Sequence, residues 1–190
     1  RYFVMRHGES QANQQGLIVS SPDNGIGAYG LSDKGREQAR QSVQEHISHG
    51  SVPTCIFSSD FMRAKETAQI AHELFGRVHP LVTYPQLRER FFGDFELEDH
   101  GNYQKVWDED ATDGSHTCYQ AESAEAVLER VTSLIAKLES CFKQEVFLLV
   151  SHGDSLQILQ TGFQRIAVEK HRSLRHLETA EIRELVLGGG

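Results

Sequence analysis

Positive charge is in short supply in this chain. Nineteen Lys and Arg stand against 27 Asp and Glu, a formal net charge of −8 with histidine neutral. That leaves no basic excess to neutralise phosphates along a polymer and argues against a general nucleic-acid or anionic-membrane binder, although a local basic pocket stays open. Cysteine is equally sparse. Cys55, Cys118 and Cys141 are an odd number with no CxxC spacing, which fits neither a disulfide framework nor a zinc site. Cys55 lies in an apolar run and reads as a small core residue, and Cys141 falls near a helix end. No stretch reaches 18 apolar residues, so no transmembrane helix is expected. No signal peptide is visible, in a row that begins at Arg1, and no internal repeat or low-complexity tract appears.

What is present is an alternation of apolar runs and helical periods. Three runs, Tyr2–Met5, Cys55–Ser58 and Val146–Ser151, are unbroken, as strands covered on both faces of a parallel sheet would be. After the second, apolar residues at 61, 64, 68, 71 and 75 repeat at helical spacing, with Ser59 or Asp60 as N-cap. Helices are also predicted from Ser32, carrying Ala39, Val43 and Ile47, from Ser123, carrying Val127, Val131, Leu134, Ile135 and Leu138, and over Ser155–Gln160. Glu181–Leu187 reads as a last strand and Gly188–Gly190 as a frayed end. Residues 16–30 and 92–120 read as long loops, the kind that cover sites. The pattern predicts one α/β domain over residues 1–190, a three-layer sandwich with a mostly parallel central sheet flanked by helices.

In such sheets ligands bind beyond the carboxyl ends of strands, where helix N-termini begin. The first run ends in Arg6-His7-Gly8-Glu9, the second leads to Arg63 in the first turn of its helix, and the third ends in His152-Gly153. Arginine forks, imidazoles and helix amides at one edge suit a small phosphate dianion.

These segments resemble the histidine phosphatase superfamily, also called phosphoglycerate mutase-like. Arg6-His7-Gly8-Glu9-Ser10 with Asn13 resembles its RHG[ES]xxN signature, and Leu31–Ala39 its L[ST]xxGxxQA segment. Ser58–Ala68 is similar to SSxxxRAxxTA, Leu87–Gly93 to LxExxxG, and Ser151-His152-Gly153 to the second-histidine motif. The five occur in the family's order over residues 3 to 153.

The resemblance implies a metal- and cofactor-free mechanism. His7 would be the nucleophile that forms a phosphohistidine, neutral at the moment of attack. Arg6, Arg63 and His152 would hold the phosphoryl oxygens, with Gly153 and Asn13 as further phosphate contacts. Glu89 would protonate the leaving oxygen and then deprotonate water; a phosphate dianion would raise its pKa and arginines would lower it. For Arg90 two readings stand, contact with substrate or pairing with an acidic neighbour. For His116 two readings stand, an ordinary role in the variable stretch or a reach into the site from a cover, whereas His46, His49, His72, His79, His100, His171 and His176 read as surface or satisfied core residues. The acidic run Asp108–Asp110 reads as solvated.

The mutases of the family carry a GWxD-like element that residues 16–30 lack. Phe92-Gly93-Asp94-Phe95-Glu96 is nearer the phosphatase-type GxWEG. The expectation is a cytoplasmic phosphomonoesterase acting on a small phosphorylated metabolite, with a phosphoglycerate mutase-type phosphoryl transfer and a non-catalytic phospho-ligand-binding module as the other readings. Substrate and oligomeric state are not legible.

Overall fold

The computed structural model describes residues 1–77 and 81–188; His79 and Gly189–Gly190 lie outside them. Five strands form one sheet: β1 (Tyr2–Arg6), β2 (Cys55–Ser58), β3 (Val82–Thr83), β4 (Phe147–Ser151) and β5 (Ile182–Leu185), in the order β3-β2-β4-β1-β5. All neighbours pair in parallel except β5, which runs antiparallel to β1. Helices α1 (Gln11–Gln15) and α2 (Pro22–Gly25) precede α3 (Asp33–Ser48) and α4 (Met62–Leu74). After them come α5 (Tyr103–Asp110), α6 (Ala124–Cys141) and α7 (Gly153–Gln164).

Period-2 side-chain alternation splits the strands between two cores. Tyr2, Val4, Phe57, Phe147 and Leu149 pack with Val127, Val131, Leu134 and Leu138 of α6 and with α7. Phe3, Met5, Ile56, Leu148 and Val150 pack with Ala39 and Val43 of α3 and Ala64, Ala68 and Ala71 of α4. The sheet is thus buried on both faces, which is why its strands are unbroken apolar runs. Ser32 and Ser123 cap α3 and α6 as expected.

Several expectations need correction. Ser59 and Asp60 do not cap α4; Phe61 does, still extended at φ −66, ψ 138, and the Ser59 hydroxyl is used elsewhere. Ile47 lies at the exposed end of α3, beyond the sheet. The helix after β4 runs from Gly153 to Gln164, longer than Ser155–Gln160.

The largest difference lies in the two long loops. Residues 92–120 contain α5 and three 3₁₀ turns, and residues 16–30 contain α2. Ile18, Phe92, Val106 and Ala121 form a third, small core between them. Glu96 ties the two together by accepting hydrogen bonds from Ser20 and Ser21 backbone N–H, the Ser20 hydroxyl and the Asn24 amide. The two segments make one cover over the carboxyl end of the sheet.

Candidate functional site

Strand register brings the two histidines together. Arg6 of β1 pairs with Ser151 of β4, and the His7 N–H donates to the Ser151 carbonyl at 3.0 Å. The next residues of the two strands are therefore neighbours, with His7 and His152 ring centroids 5.1 Å apart. Beyond β2, Ser59 N–H donates to the Val150 carbonyl, which starts the turn that presents Arg63 from α4.

The hydrogen bonds assign the His7 tautomer. Nδ1–H donates to the Gly8 carbonyl at 2.7 Å, and Nε2 accepts from Arg63 Nε at 3.2 Å. One nitrogen donates and the other accepts, so the ring is neutral and Nε2 carries the lone pair. Burial, then the charges of Arg63 and Arg6, push its pKa well below the usual histidine value. The Gly8 backbone is fixed by its N–H donating to the Thr67 hydroxyl, which itself donates to the Arg63 carbonyl. A Cβ on Gly8 would lie 2.3 Å from the Gly35 carbonyl oxygen, and one on Gly35 would lie 2.0 Å from that of Glu9. The histidine loop thus rests directly on the first turn of α3, which accounts for glycine at both positions.

His152 is assigned in the same way. The Ser59 hydroxyl accepts from Phe61 N–H at 3.2 Å and lies 2.8 Å from His152 Nε2. With the Ser59 hydroxyl donating to Nε2, the His152 proton sits on Nδ1. Burial, then the Arg63 charge, keep this ring neutral too.

Three donors around His7 are buried and have no partner among the described residues: Arg6 Nε, Arg63 Nη1 and His152 Nδ1. Each arginine is anchored through another nitrogen, Arg6 Nη1 on the Leu177 carbonyl at 2.9 Å and Arg63 Nη2 on the Val19 carbonyl at 2.7 Å. Gly153 opens α7 so close to Arg6 that a Cβ there would stand 3.3 Å from Arg6 Nε. Buried unpaired donors are rare and costly. Three of them beside a helix N-terminus form a preset cradle for an anion.

Glu89 is 8% exposed. Its Oε1 accepts from the N–H of Arg90 and of Ser155 and from the Ser155 hydroxyl. Burial, then the charge of Asp154, push its pKa up against Arg63 and those bonds. The upward push thus comes from burial and Asp154, and Arg63 supplies the downward pull expected of an arginine. Asn13 sits on α1, exposed, with Oδ1 accepting from the N–H and hydroxyl of Ser10 in a capping box; the structure gives it that local role.

Arg90 is fully buried and pairs with acids. It bonds Asp110 through both Nη atoms, at 2.6 and 2.8 Å, and Asp154 at 3.4 Å. Asp110 also accepts from His116 Nε2 and His171 Nε2. Asp110 is accordingly 0% exposed, against the expectation of a solvated run. His116 is spent on this hub and does not reach the anion cradle.

A cavity of about 210 Å³ opens beside Glu89, Arg6 and Gly153, walled by Tyr103, Trp107, Arg172 and His176. None of those four walls was read from the sequence. Tyr103, Trp107 and Asp110 do repeat at i, i+4, i+7, the signal of one helix face, but the acidic run masked it. Among the described residues no group of three or more His, Cys, Asp or Glu could hold a metal ion, and no helix is long and apolar enough to cross a membrane.

Fold and site together define an α/β sandwich with a histidine-centred anion site at the carboxyl ends of its strands. The chain belongs to the histidine phosphatase superfamily (branch 1), whose profile matches residues 2–190. The adenosylcobalamin/alpha-ribazole phosphatase of Escherichia coli (strain K12) is 32% identical over 167 residues, 84% of this chain and 76% of the relative. The 2,3-bisphosphoglycerate-dependent phosphoglycerate mutase of Parvibaculum lavamentivorans is 27% identical over 175 residues, 88% of this chain and 81% of the mutase. The structure of a mycobacterial glucosyl-3-phosphoglycerate phosphatase in complex with VO3 superposes with a TM-score of 0.80 at 22% identity, covering 99% of this chain and 98% of that one. That of a putative alpha-ribazole-5'-P phosphatase from Escherichia coli K-12 gives 0.73 at 26% identity, covering 99% and 95%.

Proposed function

We propose that the chain is a phosphomonoesterase that hydrolyses a small phosphorylated metabolite through a phosphohistidine at His7. The observation that carries this reading is the set of three unpaired buried donors, Arg6 Nε, Arg63 Nη1 and His152 Nδ1, around a neutral imidazole. A phosphoryl group placed there would complete all three bonds while presenting phosphorus to Nε2. The same donors stabilise the charge that spreads over its oxygens during transfer.

In the first step His7 Nε2 bonds to phosphorus, the ester P–O bond breaks, and Glu89 gives its proton to the leaving oxygen. In the second, the Glu89 carboxylate takes a proton from water as that water attacks phosphorus. The P–N bond breaks, inorganic phosphate leaves, and Glu89 is protonated again. All charge handled in these steps is met by arginine, imidazole and helix amides. Three free cysteines, one of them buried, fit a reducing compartment, which supports a cytoplasmic setting. The net charge of −8 favours a small substrate over a nucleic-acid polymer.

The test is turnover of sugar phosphates, glycerates and an aryl phosphate in the presence of EDTA, with trapping of an acid-labile phosphoprotein. Release of inorganic phosphate is expected, with loss of both turnover and phosphoprotein in His7→Ala. An isomerised phosphoester would instead identify a mutase, in line with the similarity to the phosphoglycerate mutase. No turnover and no phosphoprotein would leave only a binding module.

A further inference from the structure

Four arginines line the two cavities that meet at Glu89, and they differ in how their donors are used. Arg88 grips Asp60 through Nε and Nη2 at 2.8 and 2.6 Å. Arg130 bonds Glu122 and the carbonyls of Gln86, Arg88 and Glu89. Both belong to the larger cavity, of about 480 Å³, and are spent on the fold. Arg6 and Arg172 belong to the 210 Å³ cavity, and both keep donors in reserve.

Among the described residues Arg172 makes no ion pair, and its one hydrogen bond is to Gln157 Oε1. Its guanidinium is nonetheless fixed, lying over the Trp107 ring with Cζ 3.6 Å from the centroid. Trp107 is itself held, stacked on Tyr103 at 5.4 Å and donating from Nε1 to Asp154 at 3.0 Å. Neither carboxylate of the adjoining hub accepts a hydrogen bond from Arg172 among the described residues. Asp110 already receives Arg90 twice, His116 and His171, and Asp154 receives Arg90 and Trp107. A stacked, oriented guanidinium with open N–H groups is built for a bidentate oxyanion. Arg6 and Gly153 bring the phosphoryl cradle to this cavity, and Arg172 stands on its wall.

We propose that Arg172, set by Trp107, is a specificity-determining residue for a second anionic group, carboxylate or phosphate, carried by the leaving portion of the substrate. The proposal rests on the phosphomonoesterase reading above and narrows it to doubly anionic phosphomonoesters.

The experiment compares kcat/KM for three substrates of one carbon length: glycerol 3-phosphate, 3-phosphoglycerate and glycerol 1,3-bisphosphate. They are measured in the unaltered protein, in Arg172→Gln and in Arg172→Lys, with an aryl phosphate alongside. One or both anionic substrates should exceed glycerol 3-phosphate by about ten-fold, an advantage of the size charged hydrogen bonds provide. The advantage should vanish in Arg172→Gln and survive in part in Arg172→Lys, where the charge stays and the planar fork is lost. The arm that gains tells carboxylate from phosphate. An anionic-to-neutral ratio that is the same in the unaltered protein and in Arg172→Gln overturns the subsite and leaves the phosphatase reading standing. Absence of aryl phosphate turnover in the unaltered protein overturns the phosphatase reading itself.

Discussion

At the residue scale the site depends on proton placement. His7 must be neutral and Glu89 protonated in the free enzyme, and their environments push them apart in the required directions, His7 down and Glu89 up. The acid limb of kcat/KM, where His7 gains a proton, should then lie well below pH 6.5, and the alkaline limb, where Glu89 loses one, above its ordinary value. Replacing Glu89 by Gln should lower turnover of alkyl phosphates by about 10²–10⁴-fold and remove the alkaline limb. Aryl phosphates, whose leaving oxygen needs no proton, should still phosphorylate His7 and give a burst of phenol in rapid-mixing kinetics. A full alkyl rate in that variant would remove Glu89 from the mechanism. Ser59 acts one bond further out, since its hydroxyl lies 2.8 Å from His152 Nε2. Ser59→Ala should shift the His152 ring nitrogens in ¹⁵N NMR toward a tautomer mixture and reduce kcat by about ten-fold, the equivalent of one hydrogen bond.

At the element scale the question is how strands and helices hold such groups in place. The contact of Gly8 and Gly35 joins the histidine loop to α3 backbone to backbone. Gly35→Ala should therefore overpack this joint, at a cost of about 1–3 kcal/mol. A Tm lower by about 2–12 °C is expected in calorimetry, with activity reduced even far below the melting range because His7 is displaced. The joint also shows what the sequence made legible. Arg6, His7, Arg63, Glu89 and His152 follow runs and motifs whose spacing is visible in the chain, and Ser32 and Ser123 announce their helices. The position of the cover was legible, but its internal helices were not. The face of α5 mixes Tyr103, Val106, Trp107 and Asp110, and a carboxylate in a core position reads as solvent-facing until Arg90, far away in sequence, is seen to neutralise it. Arg172 gives no signal at all, because an arginine's meaning here comes from the ring it rests on. β3 is two exposed residues, too short to carry a period.

At the scale of the whole molecule, the Asp110 hub joins α5, α7, the Glu89 segment and the turn that bears His171. Burial pushes the Asp110 pKa up, but Arg90, His171 and His116 outweigh it and hold the group well below the usual carboxylate range. A depressed folded pKa contributes stability that is present above the unfolded carboxylate pKa of about 4 and is lost as pH falls through the folded value. Acid unfolding should accordingly release this contribution. Asp110→Asn, which leaves Arg90 short of a charge, should cost about 3–5 kcal/mol at neutral pH, or about 6–20 °C in Tm. It should also flatten the fall in stability below about pH 4. A variant as stable as the parent at pH 7 would show that the hub is ornamental to folding.

The pairing of β1 with β4 has one more consequence. The two histidines come from strands 145 positions apart along the chain and become neighbours only when Arg6 lies opposite Ser151. If the chain is cut in the exposed turn between Lys143 and Gln144, one piece keeps His7, Arg63 and Glu89, and the other keeps His152 and the α7 N-terminus. Neither piece alone should turn over an aryl phosphate. Mixed, they should regain the activity in proportion to the strands that find each other, so that colour from a simple phosphate ester would report on the knitting of the sheet.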